Sequence, residues 1–151
     1  MKNPKLFTHL STLGPIGYIP FAPGTMGTAV SALLVFLIRP SDPLLILSCT
    51  VLFFAGIHAS SVAEEFFGEK DSSRIVIDEF VALPLCLVFI EKTALSIILA
   101  FIVFRFFDIL KPFPIRRIES SLSGGFSVML DDVLAAVYTN ITVHMVYNLV
   151  R

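Results

Sequence analysis

The chain has 151 residues, of which 56% are hydrophobic and only 15% are charged, and its mean hydropathy is +0.86. Because a soluble domain is about 45–50% apolar and about 25% charged, this composition favours an integral membrane protein and excludes a disordered or disulfide-linked chain. Eleven Lys and Arg against 12 Asp and Glu give a net charge of −1, which argues against a nucleic-acid-binding protein.

Apolar segments separated by short polar connections follow one another along the chain, at residues 28–38, 44–63, 75–90, 93–104 and 133–150. A membrane span needs about 20 apolar residues, a length that only the second and last segments approach. The other three segments would span the membrane if flanking residues extended the helices or if the bilayer were locally thinner. Since lipid leaves open sheet edges unsatisfied, we predict an all-α, multi-span helical membrane protein. It would be a single domain over residues 1–151, with four or five membrane-embedded helices.

The positive charges are unevenly divided between the two ends of these predicted spans. With five spans, three lie on one side, namely Arg39, Lys92 and Arg151. Eight lie on the other side, namely Lys2, Lys5, Lys70, Arg74, Arg105, Lys111, Arg116 and Arg117. The positive-inside rule places the second side in the cytoplasm. Ten of the 12 carboxylates belong to that same side.

The segment PGTMGT, residues 23–28, comes directly before the first apolar helix. Small residues let a ligand approach the backbone, and free N–H groups at a helix start favour an anion. Thr25 or Thr28 would cap the helix in the simplest interpretation. In the functional one, Thr25 and Gly27 help to bind a phosphate group.

Two adjacent carboxylates, Asp78 and Glu79, lie inside the third apolar segment. Acidic residues in the first turn of a helix are stabilised by the helix dipole, which explains one carboxylate more easily than two. Two hard oxygen ligands also suit a divalent cation such as magnesium.

The fourth segment ends in a charged cluster. Arg105 and Asp108 are three residues apart and therefore share a helix face. Pro112 disfavours helical geometry at Lys111, so the helix is predicted to end there. Arg116 and Arg117 are explained if their long side chains extend from the membrane surface into water. That explanation does not account for Asp108, which lies between apolar and aromatic residues.

The last helix follows a glycine pair and carries Asp131 and Asp132 in its early turns. Adjacent helical side chains point about 100° apart, so one of the two could be a metal ligand and the other a base. Helix-dipole stabilisation is again the alternative.

Taken together, these residues predict metal-assisted phosphoryl chemistry at one face of a membrane, because carboxylates hold a hard cation while cationic side chains and amides hold phosphate. The predicted metal ligands are Asp78, Glu79, Asp108 and Asp132. The predicted catalytic residues are Asp78, Asp108, Asp131 and Asp132, and the predicted phosphate-binding residues are Thr25, Gly27, Arg105 and Lys111. The alternative is a small transporter or channel subunit, whose carboxylates would pass cations from mid-membrane positions.

Four blocks of the sequence resemble the phosphatidylglycerophosphatase A family, in its order and at roughly its spacing. They are PGTMGT at 23–28, IVIDEFV at 75–81, FRFFDILKPFPI at 104–115 and GGFSVMLDDVLAA at 124–136. The resemblance implies a phosphatase that uses Mg²⁺ to convert phosphatidylglycerophosphate into phosphatidylglycerol and inorganic phosphate. It also implies a multi-pass protein of the bacterial cytoplasmic (inner) membrane with a phospholipid substrate, and it gives no indication of a protein partner. Because the sequence has no cysteine nucleophile motif and no well-placed histidine, we expect direct attack by metal-activated water, and attack by an aspartate is the alternative.

Overall fold

The computed structural model of the chain describes residues 3–150, and every regular element in that range is a helix, which confirms the all-α prediction. Lys2 and Arg151, which contribute to the charge asymmetry, lie outside the described residues. The α-helices of the described residues are α1 (Pro4–Ser11), α2 (Pro23–Ile38), α3 (Asp42–Phe67), α4 (Ile77–Leu85), α5 (Ala94–Leu110), α6 (Ile115–Ser121) and α7 (Gly125–Val150). A 3₁₀ turn, Ile16–Tyr18, lies between α1 and α2.

Two helices in the described part of the chain are long and apolar enough to cross a membrane: α3 and, over Gly125–Tyr147, α7. The prediction of four or five membrane-embedded helices is therefore not confirmed. The 16 residues of α2 extend about 24 Å, less than the roughly 30 Å of a bilayer core. The third apolar segment is shorter still as a helix, because α4 ends at Leu85, one residue after Pro84.

The boundaries of α2 and α5 test two predictions about helix ends. Neither Thr25 nor Thr28 caps α2, so that prediction is wrong: the N-cap is Ala22, with a left-handed φ of 47°, and Pro23 opens the helix. The Thr28 hydroxyl instead donates to the Gly24 carbonyl within the helix, at 2.9 Å. The other prediction is confirmed, since α5 ends at Leu110 and Lys111 is its C-cap.

Helix α4 occupies the centre of the molecule and packs against α2, α3 and α7. Its residues Ile77, Val81 and Leu83 are buried. Beyond Pro84, the Asn140 side chain of α7 donates to the carbonyls of Cys86 and Val88, at 3.0 Å each. Those bonds satisfy backbone groups that the helix break leaves free in an apolar interior.

The helix order brings four helix ends together at one end of the bundle. Helices α3 and α7 come into close contact at Gly125, because glycine has no Cβ. A Cβ at this position would lie only 2.1 Å from the Ile57 carbonyl oxygen. The Gly125 N–H donates to the Ser61 hydroxyl at 2.9 Å. One cavity lies at this end of the bundle, surrounded by the beginnings of α2, α4 and α7 and by the end of α5. These four segments carry the four sequence blocks.

Candidate active site

Three carboxylates from two helices converge at this cavity. Asp78 and Glu79 begin α4, and Asp132 lies two turns into α7. One carboxylate oxygen from each lies within 4.8 Å of the other two. Asp78 and Asp132 are 8% and 3% exposed, so the cluster is an interior feature rather than a solvated acidic surface.

The same three residues have oxygen atoms without a hydrogen-bond partner. Asp78 Oδ1, Glu79 Oε2 and Asp132 Oδ2 are all buried and unpaired. Burying an unpaired carboxylate oxygen is costly, and a hard divalent cation that takes oxygen ligands would remove that cost. The donor set therefore fits magnesium, the ion suggested by the sequence.

Arg105 stands beside this cluster, in the last turns of α5. Its Nη1 atom lies 2.6 Å from Asp108 Oδ2 and 3.4 Å from Glu79 Oε1. Its Nε atom is buried and has no acceptor, so one N–H remains available for a ligand. Asp108 is bonded to Arg105 and is not one of the three converging carboxylates; its role as a metal ligand stays a prediction.

Lys111 forms a second charged group in the wall of the cavity. Its Nζ atom lies 2.5 Å from Asp131 Oδ2 and 2.8 Å from Glu119 Oε1. Burial alone would lower the pKa of Lys111, but the hydrogen bonds to these two carboxylates outweigh burial and raise the pKa above its usual value. Lys111 therefore keeps its positive charge at physiological pH, although much of it is already balanced by its partners.

The cavity between these groups has a volume of about 330 Å³. All of the predicted acids line it, together with Arg105 and Lys111. Thr25 and Gly27 do not, although their phosphate-binding role remains a prediction. Gly27 faces α4 instead, where a Cβ would lie 3.1 Å from the Val76 carbonyl oxygen.

Other residues of the cavity wall were absent from the predicted site. Asp71, Ser72 and Ser73 reach the cavity from the connection between α3 and α4, whereas Gly24, which also lines it, belongs to the PGTMGT segment that the sequence indicated. The irregular conformation of that connection, with a φ of 50° at Asp71, has no periodicity that a sequence pattern could reveal. Glu119 is one of the ten carboxylates on the predicted cytoplasmic side, but its spacing in the sequence does not indicate its bond to Lys111.

A larger cavity, of about 650 Å³, lies at the opposite end of the bundle and is lined by Arg39, Asp42 and Lys92, among others. There Asp42 forms an ion pair with Lys92. No unpaired buried carboxylate lies in that cavity among residues 3–150. Size alone would favour this cavity, but the chemistry favours the smaller one.

Comparison with known proteins shows to which family the sequence is similar. The family model for phosphatidylglycerophosphatase A matches residues 9–147. A phosphatidylglycerophosphatase A of Haemophilus influenzae is 42% identical over 89% of this chain and 85% of its own length. One from Escherichia coli is 30% identical over 91% of this chain and 80% of its own.

A third relative has a different name. A protein of Bacteroides thetaiotaomicron, provisionally named a phosphatidylinositol-3-phosphatase, is 39% identical over 95% of both chains. No solved structure matches the chain significantly.

Proposed function

Because the chain belongs to the phosphatidylglycerophosphatase A family, we propose that it hydrolyses phosphatidylglycerophosphate to phosphatidylglycerol and inorganic phosphate, and that it depends on magnesium. The observation that carries this proposal is the convergence of three carboxylates, each with an unpaired buried oxygen, next to an unpaired buried N–H of Arg105. A cation site beside an anion donor is the arrangement that phosphoryl transfer needs.

Asp78, Glu79 and Asp132 would hold the magnesium ion. When bound, magnesium neutralises charge on phosphate oxygens and makes water more acidic. The Arg105 Nε–H would donate to an oxygen of the terminal phosphate. The beginning of α2 at Gly24, where backbone N–H groups lack helical partners, would bind another phosphate oxygen.

In the proposed reaction, water attacks phosphorus directly. The bond from water oxygen to phosphorus forms, and the bond from phosphorus to the glycerol oxygen breaks. A carboxylate of the site accepts the proton from water, and the leaving glycerol oxygen takes up a proton. Asp108 and Asp131 are the candidates for this proton transfer, because both line the cavity outside the converging group. The rival scheme, in which an aspartate attacks, would form an aspartyl-phosphate that an acid quench traps. If water attacks directly, an acid quench during turnover should trap no phosphoenzyme, and a labelled protein band would support the rival scheme.

The protein would lie in the bacterial cytoplasmic membrane with this cavity at the cytoplasmic face. Of the nine Lys and Arg among residues 3–150, only Arg39 and Lys92 belong to the opposite end of the bundle. The transporter alternative requires carboxylates at mid-membrane. Asp78 and Glu79 instead begin a helix at the cavity, and relatives at 42% and 30% identity are named as phosphatases.

The deciding experiment measures phosphate release by the protein purified in detergent. We expect release from phosphatidylglycerophosphate with magnesium and none after chelation, whereas Asp132→Asn should be inactive in both. Glu91→Gln, at an exposed carboxylate of the opposite end, is the matched control and should behave as wild type. Phosphatidylinositol 3-phosphate is assayed in parallel, and faster release from that lipid would reassign the substrate to the one in the Bacteroides relative's name.

A further inference from the structure

A second chamber adjoins the cavity that holds the carboxylate cluster. It has a volume of about 340 Å³ and is lined by Lys70, Arg116 and Ser127, among others. Asp71 and Asp131 line both chambers, so the two spaces share a wall. None of the roles proposed above uses Lys70 or Arg116.

The two cations of this chamber have no carboxylate partner within residues 3–150. Lys70 Nζ donates to the Leu122 carbonyl at 3.5 Å, and Arg116 Nη2 donates to the Leu110 carbonyl at 3.3 Å. Neither forms an ion pair, whereas Arg105 and Lys111 each contact two carboxylates. Both side chains are exposed at the mouth of the chamber, and these backbone contacts leave further N–H groups for a ligand.

The charges of the two chambers differ in a way that suits two different groups. The first chamber combines six carboxylates with Arg105 and Lys111, and this excess of negative charge calls for a metal ion. In the second, Lys70 and Arg116 face three carboxylates. Two of those, Glu119 and Asp131, are already bonded to Lys111, so the second chamber is much less repulsive to an anion.

We propose that the second chamber binds the phosphodiester of the lipid substrate, with Lys70 and Arg116 donating to its oxygens. This inference rests on the proposed function, in which the terminal phosphomonoester occupies the first chamber. A substrate with two phosphate groups joined by a short glycerol needs two adjacent anion sites. Lys70 and Arg116 thereby select lipids that carry a phosphodiester between the acyl chains and the terminal phosphate, because Arg in particular matches phosphate geometry.

The test separates binding of the phosphodiester from the chemical step. Lys70→Ala and Arg116→Ala are each assayed on phosphatidylglycerophosphate in mixed micelles with magnesium. We expect KM to rise about tenfold for each, the loss of one charge-assisted contact, with kcat within about twofold of wild type because neither residue contacts the reacting phosphate. Arg117→Ala removes the neighbouring exposed cation of α6, which does not line the chamber, and should leave KM unchanged.

A second ligand distinguishes recognition from a merely structural effect. Glycerol 3-phosphate has the phosphomonoester but no phosphodiester, so its inhibition constant should be the same in wild type and in the Lys70→Ala, Arg116→Ala double variant. Unchanged KM for the lipid in the double variant, or equal weakening of both ligands, would overturn the proposal. Failure of the proposed function would be visible separately, as a wild-type protein that releases no phosphate from phosphatidylglycerophosphate.

Discussion

Gly24 at the start of α2 lies directly against the carboxylate of Glu79 in α4. A Cβ on Gly24 would be 1.9 Å from Glu79 Oε1, so only glycine permits the observed position of that side chain. The obstructing atom is the free end of a flexible side chain rather than backbone. A larger residue at this position would therefore move Glu79 without preventing α2 and α4 from packing.

The first prediction is that Gly24→Ala separates activity from stability. Displaced Glu79 should no longer join Asp78 and Asp132, and we expect kcat/KM to fall at least about tenfold, consistent with about 1.4 kcal/mol or more of lost transition-state stabilisation. The melting temperature in detergent should change little. Met26→Ala, at an exposed position of the same helix, is the control, and a fully active Gly24→Ala protein would show that Glu79 is not needed there.

Asp132 allows a test of metal binding that does not depend on activity. A ligand at 100 times its Kd stabilises a protein by about 2.7 kcal/mol, so magnesium should raise the wild-type melting temperature by several degrees. Asp132→Asn should lose that shift, because one of the three converging oxygens no longer carries charge. Without magnesium the variant should be at least as stable as wild type, since it removes a buried carboxylate that has an unpaired oxygen. An undiminished magnesium shift in Asp132→Asn would contradict the assigned ligand set.

Some of this site could be predicted from spacing along one helix, and the rest could not. The Arg105–Asp108 ion pair follows from a separation of three residues, and the end of α5 at Lys111 follows from Pro112. The meeting of Asp78 with Asp132 joins residues 54 positions apart in the sequence, which only tertiary packing determines. The third apolar segment extends to residue 90 by hydropathy, but α4 ends at Leu85, because Pro84 has no backbone N–H with which to continue the helical hydrogen bonding.

Arg105 should not be replaceable by lysine. Its planar group bonds Asp108 and approaches Glu79 through Nη1, while Nε remains unpaired. A lysine ammonium has no second donor fixed in that geometry. We expect Arg105→Ala to lower kcat about 10²- to 10³-fold, as for an oxyanion donor, and Arg105→Lys to recover little of it. Arg117→Lys is the control for the substitution itself, and near-normal kcat in Arg105→Lys would mean that charge alone is sufficient.

The Lys111–Asp131 pair should contribute to stability as well as to the site. Lys111→Met would leave Asp131, which is 5% exposed, without its cation. We expect a loss of about 3 kcal/mol in the free energy of unfolding, the lower end for a broken buried pair because Lys111 is one-fifth exposed. Adding Asp131→Asn to Lys111→Met should restore part of the lost free energy of unfolding. If the losses of the two single variants simply add in the double variant, the two side chains are not energetically coupled.

The pH dependence of this pair follows from the raised pKa of Lys111. Its stabilising contribution is complete below the unfolded-state pKa of about 10.4 and disappears as pH rises through the higher folded-state pKa. Unfolding measured between pH 7 and 9.5 should therefore show the same difference between wild type and Lys111→Met. A difference that shrinks within this range would indicate that Lys111 loses its proton there.

The last prediction concerns the orientation of the protein in the membrane. Seven of the nine Lys and Arg within residues 3–150 belong to the end of the bundle that holds the carboxylate cluster, and the positive-inside rule places that end in the cytoplasm. Ser120 and Glu91 are exposed at the two opposite ends, and both native cysteines are buried, which keeps background labelling low. A membrane-impermeant maleimide added to intact spheroplasts should label Glu91→Cys, whereas Ser120→Cys should react only after permeabilisation. The reverse pattern would place the cavity outside the cell, and labelling of both positions in intact spheroplasts would mean that the two ends are not separated by the membrane.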